Sequence, residues 1–281
     1  MRQSWLIWAT STAAFFLTAA TIVGSSSLQE PARGSQSFEN PASFENTSNH
    51  HLGKLETDYR NARMQRVSAS RLSVKSSSSA VLKDSIGYQP VEKVSLAHHS
   101  NYGERFPVDV SGNTVNNQYI VVLHETVGSA SSALNTFQTN HPNDNDQVSY
   151  HTLIGLDGTV YYVVPPEQRA FGAGDSSFQS SFGEEAVFTN AEFPSSVNNF
   201  AYHISLETPP DGQNNNYASH SGYTEAQYQS LAWLLARTTV PNDRITTHKA
   251  VDRSGSRSDP RSFDPQRLTD LLNRYPSRAG L

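Results

Sequence analysis

Two of the ten histidines lie where folded chains assemble functional sites. His124 ends an apolar run, QYIVVLH, and His248 ends a shorter one, ITTH, so each is the last residue of a predicted strand. Strand ends carry their side chains to the open rim of a sheet, where sites are built. Zinc accepts neutral imidazole nitrogen and carboxylate oxygen, and a catalytic zinc site uses three protein ligands. Asp252, Asp259 and Asp264 follow His248, and each could supply the oxygen. The residues alone are compatible with a metal site, with the third ligand undecided, but two separated histidines and an aspartate do not establish one.

The composition excludes several other kinds of catalytic or metal site. The 281-residue chain has no cysteine, which excludes disulfides, thiolate zinc ligands, a cysteine nucleophile and a lipid-modified cysteine anchor. A formal net charge of −5 argues against a nucleic-acid partner. The sequence also lacks the G-x-S-x-G signature of a serine nucleophile. A hydrolytic function would therefore depend on histidine and carboxylate side chains.

The N-terminal third differs from the rest of the chain. Arg2 precedes an uncharged stretch over residues 5–23, and small residues follow it. This pattern predicts a signal peptide or membrane anchor over residues 1–27. The uncharged stretch is longer than a typical signal-peptide core and shorter than a typical membrane span, so its length does not decide between them. Residues 28–97 are rich in serine, asparagine and glutamine, so we expect a low-complexity linker there. The folded domain is predicted over residues 98–281.

Strand and helix patterns alternate within that domain. Asp157-Gly158 joins two strand-like runs, the strongest short signal for a hairpin. Thr224 and Gln227 form a capping box, and Asp264 followed by Pro265 begins the last helix. We expect an α/β fold, with a single mixed β-sheet flanked by helices. The predicted strands cover 118–124, 150–156, 159–164, 202–208 and 245–248, and the helices cover 129–140 and begin at 224 and 264.

Five motifs occur in an order that resembles a known family. They are LHET (123–126), VSYHTLIGLDGTVYYVVPPE (148–167), AFGAG (170–174), ISLE (204–207) and THKAVDRSGSRSDPRSFD (247–264). Together they are similar to the zinc-dependent N-acetylmuramoyl-L-alanine amidase type 2 family, whose fold is shared with phage T7-type lysozymes and peptidoglycan recognition proteins. The resemblance covers roughly residues 105–275.

The resemblance implies a complete zinc ligand set. His124 and His248 match the family's two histidine ligands. Asp259, just before Pro260, matches the third ligand, an aspartate or cysteine at that place. Asp264 matches a family aspartate that we interpret as the N-cap of the last helix.

The resemblance also implies residues that act around the metal. Glu207 matches a glutamate beside the catalytic water, where it can transfer protons. Tyr150 occupies the place of a tyrosine that some branches put beside the site, although core packing would suit it as well. Arg257 stands where the family usually has lysine; arginine cannot shuttle a proton but can stabilise an oxyanion. Phe171 and Gly172 replace the usual tryptophan and histidine.

His151 and His203 fall on the predicted strands beside the site. We interpret both as core residues or supports for the ligands, and do not expect either to bind the metal.

The implied function is zinc-dependent hydrolysis of the amide bond between N-acetylmuramic acid and L-alanine in peptidoglycan. The alternative is a non-catalytic peptidoglycan-binding module on the same fold; the complete ligand set favours the enzyme. The expected cofactor is Zn²⁺ and the expected partner is peptidoglycan or a muropeptide. We expect an exported monomer in the periplasm or cell envelope, either released from the membrane or anchored by residues 1–27.

Overall fold

The computed structural model describes residues 87–280, which form a central six-stranded mixed sheet with helices on both faces. The predicted fold class is therefore confirmed for this part of the chain. The strands are β1 (Glu92–Val94), β2 (Tyr102–Glu104), β3 (Ile120–Glu125), β4 (Thr152–Ile154), β5 (Val160–Tyr162), β6 (Gln168–Ala170), β7 (Phe178–Ser180), β8 (Gly183–Glu185), β9 (Ala201–Leu206) and β10 (Ile245–Thr247). The α-helices are α1 (Ala130–Gln138), α2 (Glu225–Leu235), α3 (His248–Val251) and α4 (Pro265–Leu272).

The central sheet has the order β1-β5-β4-β9-β3-β10. β3 lies parallel to both β9 and β10, whereas β4 and β5 form an antiparallel hairpin. β2 with β6 and β7 with β8 form two further small sheets. The sequence predicts no strand in residues 166–200, and the structure corrects this with β6, β7 and β8. Each of the three is only three residues long, too short to show an alternating pattern.

Every residue of β3 is buried, because other parts of the chain cover both faces of the sheet at this position. Successive side chains of a strand point to opposite faces. Val121 and Leu123 accordingly pack with α2 and α4, while Ile120 and Val122 face the opposite side. His124 continues the second set, so the predicted metal ligand lies on the face that α1 also covers.

The local signals for turns and caps are confirmed. Gly158 has a φ of +81° in the β4–β5 turn, a conformation that glycine adopts without strain. Thr224 and Gln227 form the reciprocal capping box at the start of α2. Asp264 accepts a hydrogen bond from the backbone N–H of Arg267 and caps α4.

The predictions for residues 1–27 and for the linker up to residue 86 lie outside the described residues. Within residues 87–280, no helix has the length and apolar character needed to cross a membrane.

β1 lies before residue 98, the predicted start of the folded domain. Glu92–Val94 pair in parallel with β5 and form one edge of the central sheet. Tyr88 packs on the core, with its hydroxyl 2.8 Å from Ser230 Oγ. A three-residue edge strand with a half-buried sequence, EKV, carries no periodic signal, and its polar flanks resemble the preceding linker.

Removing residues 87–97 should therefore destabilise the domain. The hydrogen bonds that Val160 N–H makes to Val91 O and that Ala97 N–H makes to Val163 O would be lost, at about 1 kcal/mol each. We expect a chain starting at residue 98 to unfold at lower urea concentration than one starting at residue 87. Equal midpoints would show that β1 contributes nothing to the fold.

Candidate metal centre

The three predicted metal ligands lie together. One side-chain donor atom from each of His124, His248 and Asp259 falls within 4.8 Å of the others, and all three residues are buried. His248 Nδ1 lies 3.0 Å from Asp259 Oδ1, and His124 Nδ1 lies 3.4 Å from Asp259 Oδ2. The two imidazole rings are 4.6 Å apart between centroids. The donor atoms therefore converge on one point.

Each ligand is placed by a different piece of backbone. His124 is the penultimate residue of β3. The neighbouring parallel strand β10 ends directly before His248. Thr247 caps α3 by accepting a hydrogen bond from the N–H of Ala250, which fixes His248 at the first position of that helix. The N–H of Lys249 donates to the backbone carbonyl of Asp259 at 2.9 Å and ties the loop to α3.

The protonation states suit a metal site. Burial lowers the pKa of His124 to about 4, although Asp259 partly opposes the shift, so this imidazole is neutral at pH 7. Burial alone would raise the pKa of Asp259, but the adjoining His124 and His248 outweigh it and hold the pKa below its usual range. Neutral imidazole and ionised carboxylate are the forms that bind metal.

The Nδ1 atom of His124 supplies an independent sign that these residues fit zinc. It is buried and has no hydrogen-bond partner among the described residues, despite its proximity to Asp259. A buried polar atom without a partner costs free energy. A cation held by two imidazole nitrogens and a carboxylate would satisfy it, and this donor set is one that zinc uses.

The two other candidate aspartates do not join the site. Asp252 accepts hydrogen bonds from the hydroxyl of Ser254 and the backbone N–H of Arg257, which shape the loop before Asp259. Asp264 caps α4, as described above. Among the three aspartates left open by the sequence, Asp259 is the one whose side chain faces both histidines.

Tyr150 stacks on His124, with ring centroids 4.4 Å apart and an interplanar angle of 28°. Phe137 of α1 meets the Tyr150 ring edge-on at 5.4 Å. Burial raises the pKa of Tyr150, and the charge of Asp259 adds to the effect, so the phenol stays protonated. The structure thus places Tyr150 beside the predicted ligands, where it can donate a hydrogen bond but not act as a base.

Glu207 lies directly after β9, and backbone N–H groups hold its carboxylate. Oε1 accepts a hydrogen bond from Ala130 N–H at 2.8 Å, and Oε2 accepts one from Leu156 N–H at 2.8 Å. Ala130 is the first residue of α1, so the carboxylate also faces the positive end of that helix. The side chain is partly exposed and fixed in orientation.

Arg257 lies on the exposed loop between Asp252 and Asp259. Its positive charge is close enough to act on the pKa values of His124 and Tyr150. Phe171, the residue in place of the family's tryptophan, lies under the guanidinium of Arg169 at 5.2 Å. Gly172 is buried against the ring of His203.

A buried charged cluster next to the ligands was not expected. Glu125, the residue after His124, pairs with Arg261, two residues after Asp259, and both side chains are almost fully buried. The second carboxylate oxygen of Glu125 lies 3.0 Å from His220 Nε2 and also accepts from the Tyr223 hydroxyl. Glu125 is part of the LHET motif, but the motif does not reveal its partners, because they are remote in sequence.

This cluster joins the strand end to the loop that carries Asp259. Arg261 also donates to the carbonyls of Gly212 and Tyr217, at 2.7 and 2.9 Å. Charge-assisted hydrogen bonds of this kind are stronger than neutral ones. Glu125 and Arg261 therefore fix two of the three ligands relative to each other.

Replacing Glu125 with alanine should leave the Arg261 guanidinium buried without its counter-charge. Breaking one half of a buried pair costs about 3–5 kcal/mol. We therefore expect urea denaturation to show a free energy of unfolding that is about 3–5 kcal/mol lower than in the wild type. As a matched control, Glu225→Ala breaks a largely exposed pair with Arg267 and should cost about 1 kcal/mol or less. A Glu125→Ala effect no larger than the control would contradict a structural role for the pair.

His203 is also drawn into the site, as a neighbour of a ligand and not a member of the ligand group. Its Nδ1 lies 2.9 Å from Nε2 of His124. Burial keeps the pKa of His203 well below its ordinary value, so this imidazole is neutral as well.

The class of protein follows from the comparison with family models. The model described as N-acetylmuramoyl-L-alanine amidase matches residues 111–262, which include the metal centre and more than half of the chain. The chain therefore belongs to the N-acetylmuramoyl-L-alanine amidase family, and membership supports peptidoglycan amidase activity. No curated protein matches the sequence.

Solved structures of amidases are similar in part. The selenomethionine derivative of AmpD is 25% identical, with a TM-score of 0.46, over 66% of this chain and 97% of that one. AmiD from E. coli, in complex with anhydro-N-acetylmuramic acid-L-Ala-D-gamma-Glu-L-Lys, is 19% identical, with a TM-score of 0.41, over 61% and 65%. AmpDh3 from Pseudomonas aeruginosa, in complex with anhydromuramic pentapeptide, is 18% identical, with a TM-score of 0.40, over 58% and 65%.

Proposed function

We propose that the protein is a zinc-dependent amidase that hydrolyses the bond between the lactyl group of N-acetylmuramic acid and L-alanine. The observation that carries the proposal is the convergence of His124, His248 and Asp259 on one point, within a chain that belongs to the amidase family. The orphaned Nδ1 of His124 supports zinc as the cofactor. The substrate would be peptidoglycan or a soluble muropeptide.

His124, His248 and Asp259 would hold the zinc ion. When bound, zinc lowers the pKa of a water molecule toward 7 and polarises the scissile carbonyl group. Three protein ligands would leave a fourth position for water or substrate, as in catalytic and not structural zinc sites. The complete set favours an enzyme over a binding module.

Glu207 is proposed to move protons. It would take a proton from the attacking water and return it to the nitrogen of the leaving L-alanine, so that one carboxylate serves as base and then as acid. Two backbone N–H donors hold the carboxylate in one orientation, which favours transfer to a fixed position. Each oxygen keeps a further lone pair for this purpose.

Arg257 and Tyr150 are proposed to assist. The guanidinium of Arg257 would stabilise the oxyanion that forms as the carbonyl carbon becomes tetrahedral, since it carries a permanent positive charge. Tyr150 would hold the His124 ring by stacking on it and would offer its hydroxyl hydrogen to the substrate.

The proposal includes the cellular setting. The substrate polymer lies outside the cytoplasmic membrane, so residues 1–27 are proposed to export the protein to the periplasm or cell envelope or to anchor it there. The linker would give the domain reach toward the wall. The protein is proposed to act as a monomer.

Mass spectrometry of digested muropeptides tests this proposal. Purified protein should release a free stem peptide that begins with L-alanine and leave the lactyl carboxylate on the sugar. A chelator should stop the reaction, and added zinc should restore it. Tight binding of muropeptide without either product would instead identify a recognition module, and cleavage at another bond would refute the assignment.

A further inference from the structure

Three buried histidines form a line that leads to the metal centre: His124 lies in β3, His203 in β9 and His151 directly before β4. The His124 and His203 rings are 5.1 Å apart between centroids, and those of His203 and His151 are 5.8 Å apart and nearly parallel. All three residues have no exposed surface. In the β3–β9 register, His203 lies opposite Val122, so its ring reaches His124 diagonally.

The two nitrogens of His124 face different partners. Nδ1 points to the group that contains His248 and Asp259, while Nε2 lies 2.9 Å from Nδ1 of His203. When an imidazole binds metal through one nitrogen, its other N–H is usually donated to an acceptor that fixes the ring orientation and tautomer. Among residues 87–280, the group placed to accept this hydrogen bond from His124 is the neutral imidazole of His203.

Gly172 provides the room for the His203 ring. A Cβ atom at position 172 would lie 2.6 Å from both Cγ and Nδ1 of His203, closer than side chains approach one another. The backbone of Gly172 has no left-handed φ, so space and not conformation explains the glycine.

His203 is itself held in place. Its backbone N–H donates to Nδ1 of His151 at 2.9 Å. His151 Nε2 in turn lies 3.1 Å from the Arg105 guanidinium and 3.1 Å from the Gln168 carbonyl. The acceptor atom offered to His124 therefore belongs to a ring that is placed by the β9 backbone and by packing against His151 and Gly172, and the Nε2 atom of this ring has no hydrogen-bond partner among the described residues.

We propose that His203 is a positioning residue for the metal centre: its Nδ1 accepts the Nε2–H hydrogen bond of His124 and thereby directs His124 Nδ1 at the metal. This inference rests on the proposed zinc-dependent function. Loss of the bond would leave the His124 ring free to rotate and to choose the other tautomer, which weakens zinc binding without removing a ligand.

Two variants separate this role from packing. In His203→Asn, the side-chain Oδ1 occupies nearly the position of Nδ1 and can accept the same hydrogen bond. His203→Leu fills the same space but has no acceptor. Zinc affinity, measured by competition with a chromophoric chelator, should be close to wild type for His203→Asn and about 10–100-fold weaker for His203→Leu.

A role in packing alone predicts the opposite order, because leucine replaces buried volume better than asparagine does. Equal zinc affinity in wild type and His203→Leu, or equal losses in both variants, would overturn the inference. Failure of the wild-type protein to bind zinc would instead overturn the proposed function. The two failures are therefore distinct, and neither depends on measuring activity.

Gly172→Ala offers a second route if His203→Leu does not fold. The new methyl group should displace the His203 ring and weaken zinc binding, although it touches no ligand. In a His203→Ala background the same change should have little effect, since the ring that it displaces is gone. Equal losses in both backgrounds would show that Gly172 acts without His203 and would contradict the proposal.

Discussion

Substitution of His124 with alanine is expected to abolish zinc binding and to reduce amide hydrolysis to background. His124, His248 and Asp259 supply three donor atoms to one point, and two of them cannot hold zinc firmly against competing buffer. His248→Ala and Asp259→Ala should behave in the same way. Metal content by plasma mass spectrometry and product formation from muropeptide measure the two effects on the same samples.

Asp264→Ala is the matched control for Asp259→Ala. Both aspartates lie on the same segment, but Asp264 caps α4 and faces no histidine. Its loss should cost about 1 kcal/mol of stability and leave zinc content unchanged. Stoichiometric zinc in any one of the three ligand variants would show that the metal is bound elsewhere.

Glu207→Gln is expected to retain zinc and to lower kcat by about 10²–10⁴, the range for loss of a general acid–base group. The amide cannot accept a proton, but it preserves the size of the side chain. One of the two backbone N–H groups, of Ala130 or Leu156, would face the new NH₂ group and lose its acceptor. Stability should fall by about 1–3 kcal/mol as a result.

Steady-state kinetics well below the melting temperature separate the two effects of this change. Glu225→Gln, the same chemical change on an exposed helix start, should leave kcat unaltered. A near-normal kcat for Glu207→Gln would assign proton transfer to another group. Tyr150→Phe would be the next test, because the protonated phenol could serve as the acid but not as the base.

The elements that position the metal centre were predictable from sequence because their signals are local. The apolar run before His124, the Asp157-Gly158 turn and the cap at Asp264 each depend on neighbouring residues. The grouping of His124, His248 and Asp259 was implied by the resemblance to the amidase family, and the parallel pairing of β3 with β10 explains how the two histidines meet. His124 is the penultimate residue of β3 and His248 directly follows β10, so both lie at the same end of two paired parallel strands.

Other features depend on contacts that no local pattern records. Glu125 and Arg261 are 136 positions apart, and only the fold brings their charges together. The His203 ring occupies space that a side chain at position 172 would fill. A single sequence does not show this relation between two distant residues as a motif. β1 was missed because three residues at a sheet edge carry too little apolar pattern.

Zinc titration of the metal-free protein tests the central claim most directly. Purified protein is stripped with a chelator, returned to zinc-free buffer and assayed on a muropeptide after each addition of zinc. Activity should be absent at the start, rise in proportion to added zinc and level off at about one equivalent per chain, as a single three-ligand site requires. Full activity in the metal-free protein would contradict a zinc-dependent amidase built on His124, His248 and Asp259.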